Sequence, residues 1–116
     1  MSKKLGELIR NIRQEKGISL RKLAEKVNVS FVNISYIENG RIETSKSVLR
    51  SISKALDYDL DKLLSLANTV DDDIQNIINK RPASVPDFLR TAKNLTNEDW
   101  IELTKHVEKM KKKGNN

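Results

Sequence analysis

Residues 27–40 read "VNVSFVNISYIENG". This stretch holds two of the chain's five aromatic residues, Phe31 and Tyr36, and five β-branched apolar residues. It ends in Glu38-Asn39-Gly40, a helix stop with glycine at the point where a left-handed residue closes the last turn. Ser30 is positioned to cap the helix that the stop ends. Ile34 and Ile37, three residues apart, share one face of that helix. Together with Val27 and Val29 they must point inward. Phe31, Val32, Asn33, Ser35 and Tyr36 are then left on the outer face. A solvated face would carry Lys and Glu, so an aromatic, apolar and amide face implies a partner.

The same logic extends in both directions. Leu5, Leu8, Ile9 and Ile12 follow the spacing of an amphipathic helix that stops at Gly17. Ser19 caps a second helix carrying Leu20, Leu23, Ala24 and Val27, and Asn28 suits the left-handed turn before the third helix. After residues 41–44, Thr44 or Ser45 caps a fourth helix with Val48, Leu49, Ile52, Ala55 and Leu56. Asp59 precedes a short fifth helix with Leu60, Leu63 and Leu64. No segment alternates with period two over the length of a strand, so the spacing predicts an all-α fold with short loops.

Composition changes after Ala67. The polar run Asn68-Thr69-Val70-Asp71-Asp72-Asp73 marks a boundary between residues 1–67 and 68–116. A sixth helix is expected from about residue 71 to 79, broken by Arg81-Pro82-Ala83-Ser84-Val85-Pro86. Pro86 suits the first turn of a short helix with Phe88 and Leu89. Thr96 and Asp99 approximate a capping box that opens a last helix, about 97–112.

Charge narrows the partner. The chain carries a net +6, which favours polyanions, nucleic acid before anionic membrane. Residues 1–68 hold 13 Lys and Arg against 8 Asp and Glu, net +5, and residues 69–116 hold 9 against 8, net +1. The positive field therefore belongs to the N-terminal part. Cysteine is absent, which excludes disulfides and thiolate metal sites. The N-terminus is not an apolar signal core, and no apolar run approaches the ~20 residues of a membrane span. The expected location is the cytoplasm, with no membrane partner. His106 is the only histidine, so no histidine cluster or acid–base centre is expected. Asp71-Asp72-Asp73 lacks the spacing of a calcium loop and reads as negative charge at a helix N-terminus. No catalytic residue, metal or cofactor is expected, and the chain is read as a non-enzyme.

Three segments carry a family resemblance: "LGELIRNIRQEKGISLRKLAEKVNVS", "ISYIENGR" and "SVLRSISKALDYDLDKLL". Across residues 5–66 the chain resembles the lambda-repressor/Cro-like, XRE-type helix-turn-helix regulators. The resemblance implies a five-helix DNA-binding domain that acts as a dimer, with its third helix in the major groove. Ser30, Phe31, Val32, Asn33 and Tyr36 match the family's base-facing positions. An asparagine can bond adenine bidentately, and apolar groups meet thymine methyls. The expected half-site is therefore rich in A·T where these residues touch it. Asn39 and Arg41 match backbone-contacting positions, and Ser19 is a further phosphate candidate through its hydroxyl or the helix-2 amides. Lys46 joins them by nearness. Where the family usually has Gln at the start of helix 2, this chain has Leu20, which puts the helix-2 clamp in question: either neighbouring Arg21 supplies part of the phosphate contact, or affinity is lower. Arg13 and Glu38 match an ion pair that ties helix 1 to helix 3.

In the tail, Trp100, Leu103, Val107 and Met110 step by 3, 4 and 3, the seam of a short coiled coil. Residues 68–116 are too few to bury a good core alone. With Phe88 and Leu89, these four residues are expected to form a homodimer interface. The final lysines, 109 and 111–113, read as a solvated helix end.

The expected molecule is a dimeric repressor reading a palindromic operator in double-stranded DNA. Two rivals remain: an antitoxin that represses its own operon, and a protein-interaction adaptor built on the same fold. An antagonist protein or peptide that engages the tail is also left open.

Overall fold

The computed structural model describes residues 3–114. Among the described residues eight helices follow one another: α1 (Lys3–Glu15), α2 (Leu20–Val27), α3 (Phe31–Glu38), α4 (Lys46–Leu56), α5 (Leu60–Leu66), α6 (Asp72–Lys80), α7 (Ser84–Ala92) and α8 (Asn97–Gly114). There is no strand among the described residues.

The first five helices end in one recurring device. Gly17, Asn28, Gly40, Asp57 and Asn68 all have positive φ, between 50° and 70°. At each, the residue and its successor donate two backbone bonds to the last turn: at Gly40, its own N–H reaches Ile37 O at 3.1 Å and the Arg41 N–H reaches Tyr36 O at 2.9 Å. This is the Schellman closure, which satisfies carbonyls the helix leaves over. The N-termini are equally regular. Ser19, Ser30 and Ser45 accept from the N–H groups of Lys22, Asn33 and Val48, and Asp59 accepts from Asp61 and Lys62. These caps fix where each helix begins and ends, and so hold the connections short.

The core follows from the faces so defined. Ile9, Leu23, Ile34, Leu49, Ile52, Leu56, Leu63 and Leu64 are fully buried, each contributing about 1.5–3 kcal/mol of transfer free energy. Val27 and Ile37 are buried with them, while Val29 packs at the edge, partly buried. α2 packs on α3 and α4, α1 on α3 and α5, and α4 on α5. Gly6 lets α1 approach the end of α3: a Cβ there would collide with the carbonyl oxygens of Ile37 and Glu38.

The chain divides into two compact units between Gln75 and Asn76, inside α6. The polar change after Ala67 marks the end of α5, but the first unit continues past it. Asp71 and Asp72 are ion-paired to α4, which keeps the start of α6 with the first unit. In the second unit Phe88 and Trp100 meet edge to face, with ring centroids 6.3 Å apart and planes at 81°. Thr96 and Asp99 form a reciprocal capping box at 3.1 Å each way. Among its described residues only Ala92 is a buried hydrophobic. No helix of the described residues is long and apolar enough to cross a membrane.

Candidate nucleic-acid interface

α3 is apolar on two faces, and only one of them is used internally. Ile34 and Ile37 are buried, whereas Phe31, Val32 and Tyr36 are 40%, 51% and 38% exposed. Ser30 and Asn33 are exposed beside them. Most of the outer face expected from the sequence is therefore exposed: a hydroxyl, a carboxamide, two aromatic rings and a valine on a helix that fits a major groove, while Ser35, expected with them, is partly buried.

This face is held from beneath by charge. Glu38, at the end of α3, is 3% exposed. Arg13 donates to it twice, Nε to Oε2 at 2.7 Å and Nη2 to Oε1 at 3.0 Å, and its Nη1 donates to the Ile18 carbonyl at 3.0 Å. Arg10 adds Nε to Glu38 Oε1 at 3.3 Å and also donates to Asn39 Oδ1. Two guanidinium groups from α1 thus satisfy one buried carboxylate. Breaking such a pair from one side leaves a buried charge unpaired, at about 3–5 kcal/mol. The pair ties α1 to the C-terminal end of α3.

Cations flank that face, not on it but over its rings. The Arg21 guanidinium lies 4.8 Å from the Phe31 ring centroid, and that of Arg41 lies 5.7 Å from the Tyr36 centroid. Stacking of this kind holds a long side chain in place while leaving the in-plane N–H donors free. Ser19 and Ser30 each use one oxygen lone pair on a cap, and each hydroxyl keeps a proton to donate.

Two expected phosphate ligands are already engaged. Asn39 accepts from Arg10. Lys46 Nζ is 3.2 Å from Asp72 Oδ1. Arg50, one helical turn on, reaches Asp71 at 2.9 Å and Asp72 at 3.0 Å. The bonds from Asp71 and then Asp72 raise the Arg50 pKa. Asp71 is held below the usual carboxylate range by the Arg50 bond, then by the Asp72 N–H. Asp72 is lowered by Lys46, then by Arg50. Sequence reasoning missed Arg10 and Arg50. Arg10 stands three residues before Arg13, on the same helical face, which was a usable signal. Arg50 had none, because its partners lie more than twenty residues away.

The tail residues separate by exposure. Phe88, Leu89, Val107 and Met110 are exposed, and Trp100 and Leu103 are partly buried. Ile101 and Leu95 add further exposed apolar surface. Among the described residues no group of His, Cys, Asp and Glu could hold a metal ion.

Comparison with known proteins converges on one reading. The family described as Helix-turn-helix matches residues 9–63. The HTH-type transcriptional regulator DdrOP3 of Deinococcus deserti is 24% identical over 126 residues, spanning 92% of this chain and 98% of that protein. The solved clp gene regulator ClgR of C. glutamicum is 38% identical, with a TM-score of 0.51, over 57% of this chain and 86% of that one. A chain of the SinR–SinI protein complex aligns over 93% of this chain and 98% of its own length, at 25% identity and a TM-score of 0.51.

Proposed function

Since the chain belongs to the lambda-repressor-like, XRE-type helix-turn-helix family and is a DNA-binding transcriptional regulator, we propose that it represses transcription as a homodimer. In this reading each α3 lies in the major groove of one half of a palindromic operator. The observation that carries the proposal is the outer face of α3. It exposes Phe31, Val32, Asn33 and Tyr36 while Ile34, Ile37 and Glu38 anchor the helix from within. Asn33 reads adenine, and Phe31 and Val32 meet thymine methyls. Ser30 and Tyr36 complete the base-facing set. Ser19, Arg21, Asn39, Arg41 and Lys46 contact the phosphate backbone and fix the register. Arg21 and Arg41 are pre-positioned for this by their aromatic platforms. Repression follows by occlusion of RNA polymerase.

Dimerisation is assigned to Phe88, Leu89, Trp100, Leu103, Val107 and Met110. The supporting observation is a second unit with almost no buried apolar residue of its own. Two reading helices would then stand about 34 Å apart, one turn of DNA. Selection of bound duplexes from a random pool, repeated over a salt series, tests the reading. The expected result is a palindrome with A·T at the α3 positions and a steep negative salt slope. Half-sites made only of G·C, or no binding at low salt, would overturn it. Leu103→Asp should yield a monomer by sedimentation.

The same exposed tail supports a second partner. The whole-length likeness to a chain found in complex with another protein, SinI, favours a protein antagonist that takes the place of the second copy. A protein that co-purifies with the chain and lowers its operator affinity would support this.

A further inference from the structure

The Lys46–Arg50 pair of α4 is the feature that this reading leaves over. Lys46 is the first residue of α4, directly after the Ser45 cap, and Arg50 lies one turn later on the same face. Neither cation points freely into solvent. Together they hold two carboxylates, with Lys46 on Asp72 at 3.2 Å and the Arg50 Nη2 shared between Asp71 at 2.9 Å and Asp72 at 3.0 Å. The chain offers here, to a basic surface, paired anionic oxygens of the kind a phosphodiester offers.

We infer that Lys46 and Arg50 form a second phosphate-binding element, and that Asp71 and Asp72 occupy it in the free protein as stand-ins which DNA phosphate displaces. This rests on the reading of α3 in the major groove, and it adds Arg50 to the contacts. Three observations support it. The partners are exposed or partly exposed, so exchange for another anion is not blocked by packing. Exposed ion pairs are individually weak and therefore displaceable. The carboxylates are ionised across the physiological range, as exposed carboxylates are, and the bonds from Arg50 and Lys46 lower both further. The consequence is a domain whose effective charge toward DNA is set by its own acidic segment.

A binding cycle on the full-length chain tests the inference. The probes are a short mixed-sequence duplex and the duplex recovered by selection, each titrated by fluorescence anisotropy over a salt series. Arg50→Gln should weaken binding to both and flatten the log–log salt slope by about 0.9. The double variant Asp71→Asn, Asp72→Asn should tighten binding about three- to tenfold. The same double substitution made together with Lys46→Gln and Arg50→Gln should change little. Asn keeps the helix start capped, and a thermal melt of each variant confirms that it is folded.

Two results would overturn the inference while leaving the α3 reading intact. One is an Arg50→Gln slope equal to wild type. The other is equal tightening by the Asn substitutions with and without the two cations, which would show a general effect of net charge. No binding of either duplex by the wild-type chain would overturn both readings together.

Discussion

The two units of this chain use amphipathic helices in opposite ways. In the first, thirteen hydrophobic residues form one buried cluster, and five successive helices are closed by left-handed residues with paired backbone bonds. In the second, Ile77, Phe88, Leu89, Leu95, Ile101, Val107 and Met110 are all exposed, and only Ala92 is buried among the described hydrophobics. None of the described residues after Asn68 has positive φ. The first unit is therefore stabilised within itself, and its exposed apolar residues on α3 are a small surplus above a complete core. In the second, exposed apolar surface is the rule. A monomer gains little from such a unit, because ordering its helices costs about 1–2 kcal/mol per residue against little burial. The difference teaches that exposed apolar residues must be weighed against the core beside them. On α3 they stand above a complete core, as the proposed reading surface requires, and in the tail they have almost no core beneath them, as the proposed dimer interface requires.

Substitutions can break this contrast. The largest expected effect is at Glu38. Glu38→Ala should lower stability by about 3–5 kcal/mol, because it strands Arg13 without its partner. Chemical denaturation measures it, and a loss under about 1 kcal/mol would mean that the pair does not anchor α3. Next comes a matched comparison. Leu49→Ala should cost about 2–5 kcal/mol at any protein concentration. Met110→Ala should act through association, lowering the melting midpoint of dilute samples more than that of concentrated ones. A concentration-independent midpoint for Met110→Ala would remove the contrast between the units.

Asn33→Ala comes third. It should leave the melting temperature unchanged and erase about 1–3 kcal/mol of discrimination at one base pair, read by competition between duplexes differing at that pair. The smallest effect concerns acid. Asp71 and Asp72 have lowered pKa values in the folded chain. Their contribution is therefore complete above the ordinary carboxylate value near 4 and is lost as pH falls through their folded values. The stability gap between wild type and the Asp71→Asn, Asp72→Asn variant should be constant from neutral pH to about 5 and close below about 4. A gap that closed near neutrality would assign it to another group.

What could be read from the sequence depended on range. Gly17, Asn28 and Gly40 announced their turns because the left-handed conformation selects Gly and Asn locally. The faces of α3 followed largely from spacing, with Val29 and Ser35 lying at the border between them, each partly buried. Asp57 and Asn68 close their helices in the same way but were not read as stops. Aspartate tolerates the left-handed region less obviously, and Asn68 lies inside a run whose polar composition marks a boundary and hides the stop. Ion pairs and stacking were the least legible. Arg50 on Asp71 and Arg21 over Phe31 depend on where separate helices come to rest, which no local pattern records. The boundary after Ala67 illustrates both sides: composition located the end of α5, while the extension of the first unit to Gln75 required knowing that α4 reaches out to the acidic run.

The anchoring of α3 has one more consequence. The fully buried contacts that fix this helix lie on its inner side or at its ends: Ile34, Ile37, the Glu38 carboxylate, the glycine closure at Gly40 and the gap left for it by Gly6. Ser30 apart, the outward residues carry little of that duty. Phe31, Val32, Asn33 and Tyr36 can therefore drift under selection, or be exchanged by design, with small effect on folding. Under the function proposed above, shape and address are then carried by different residues, and changing a few outer side chains would redirect one stable domain to a new operator.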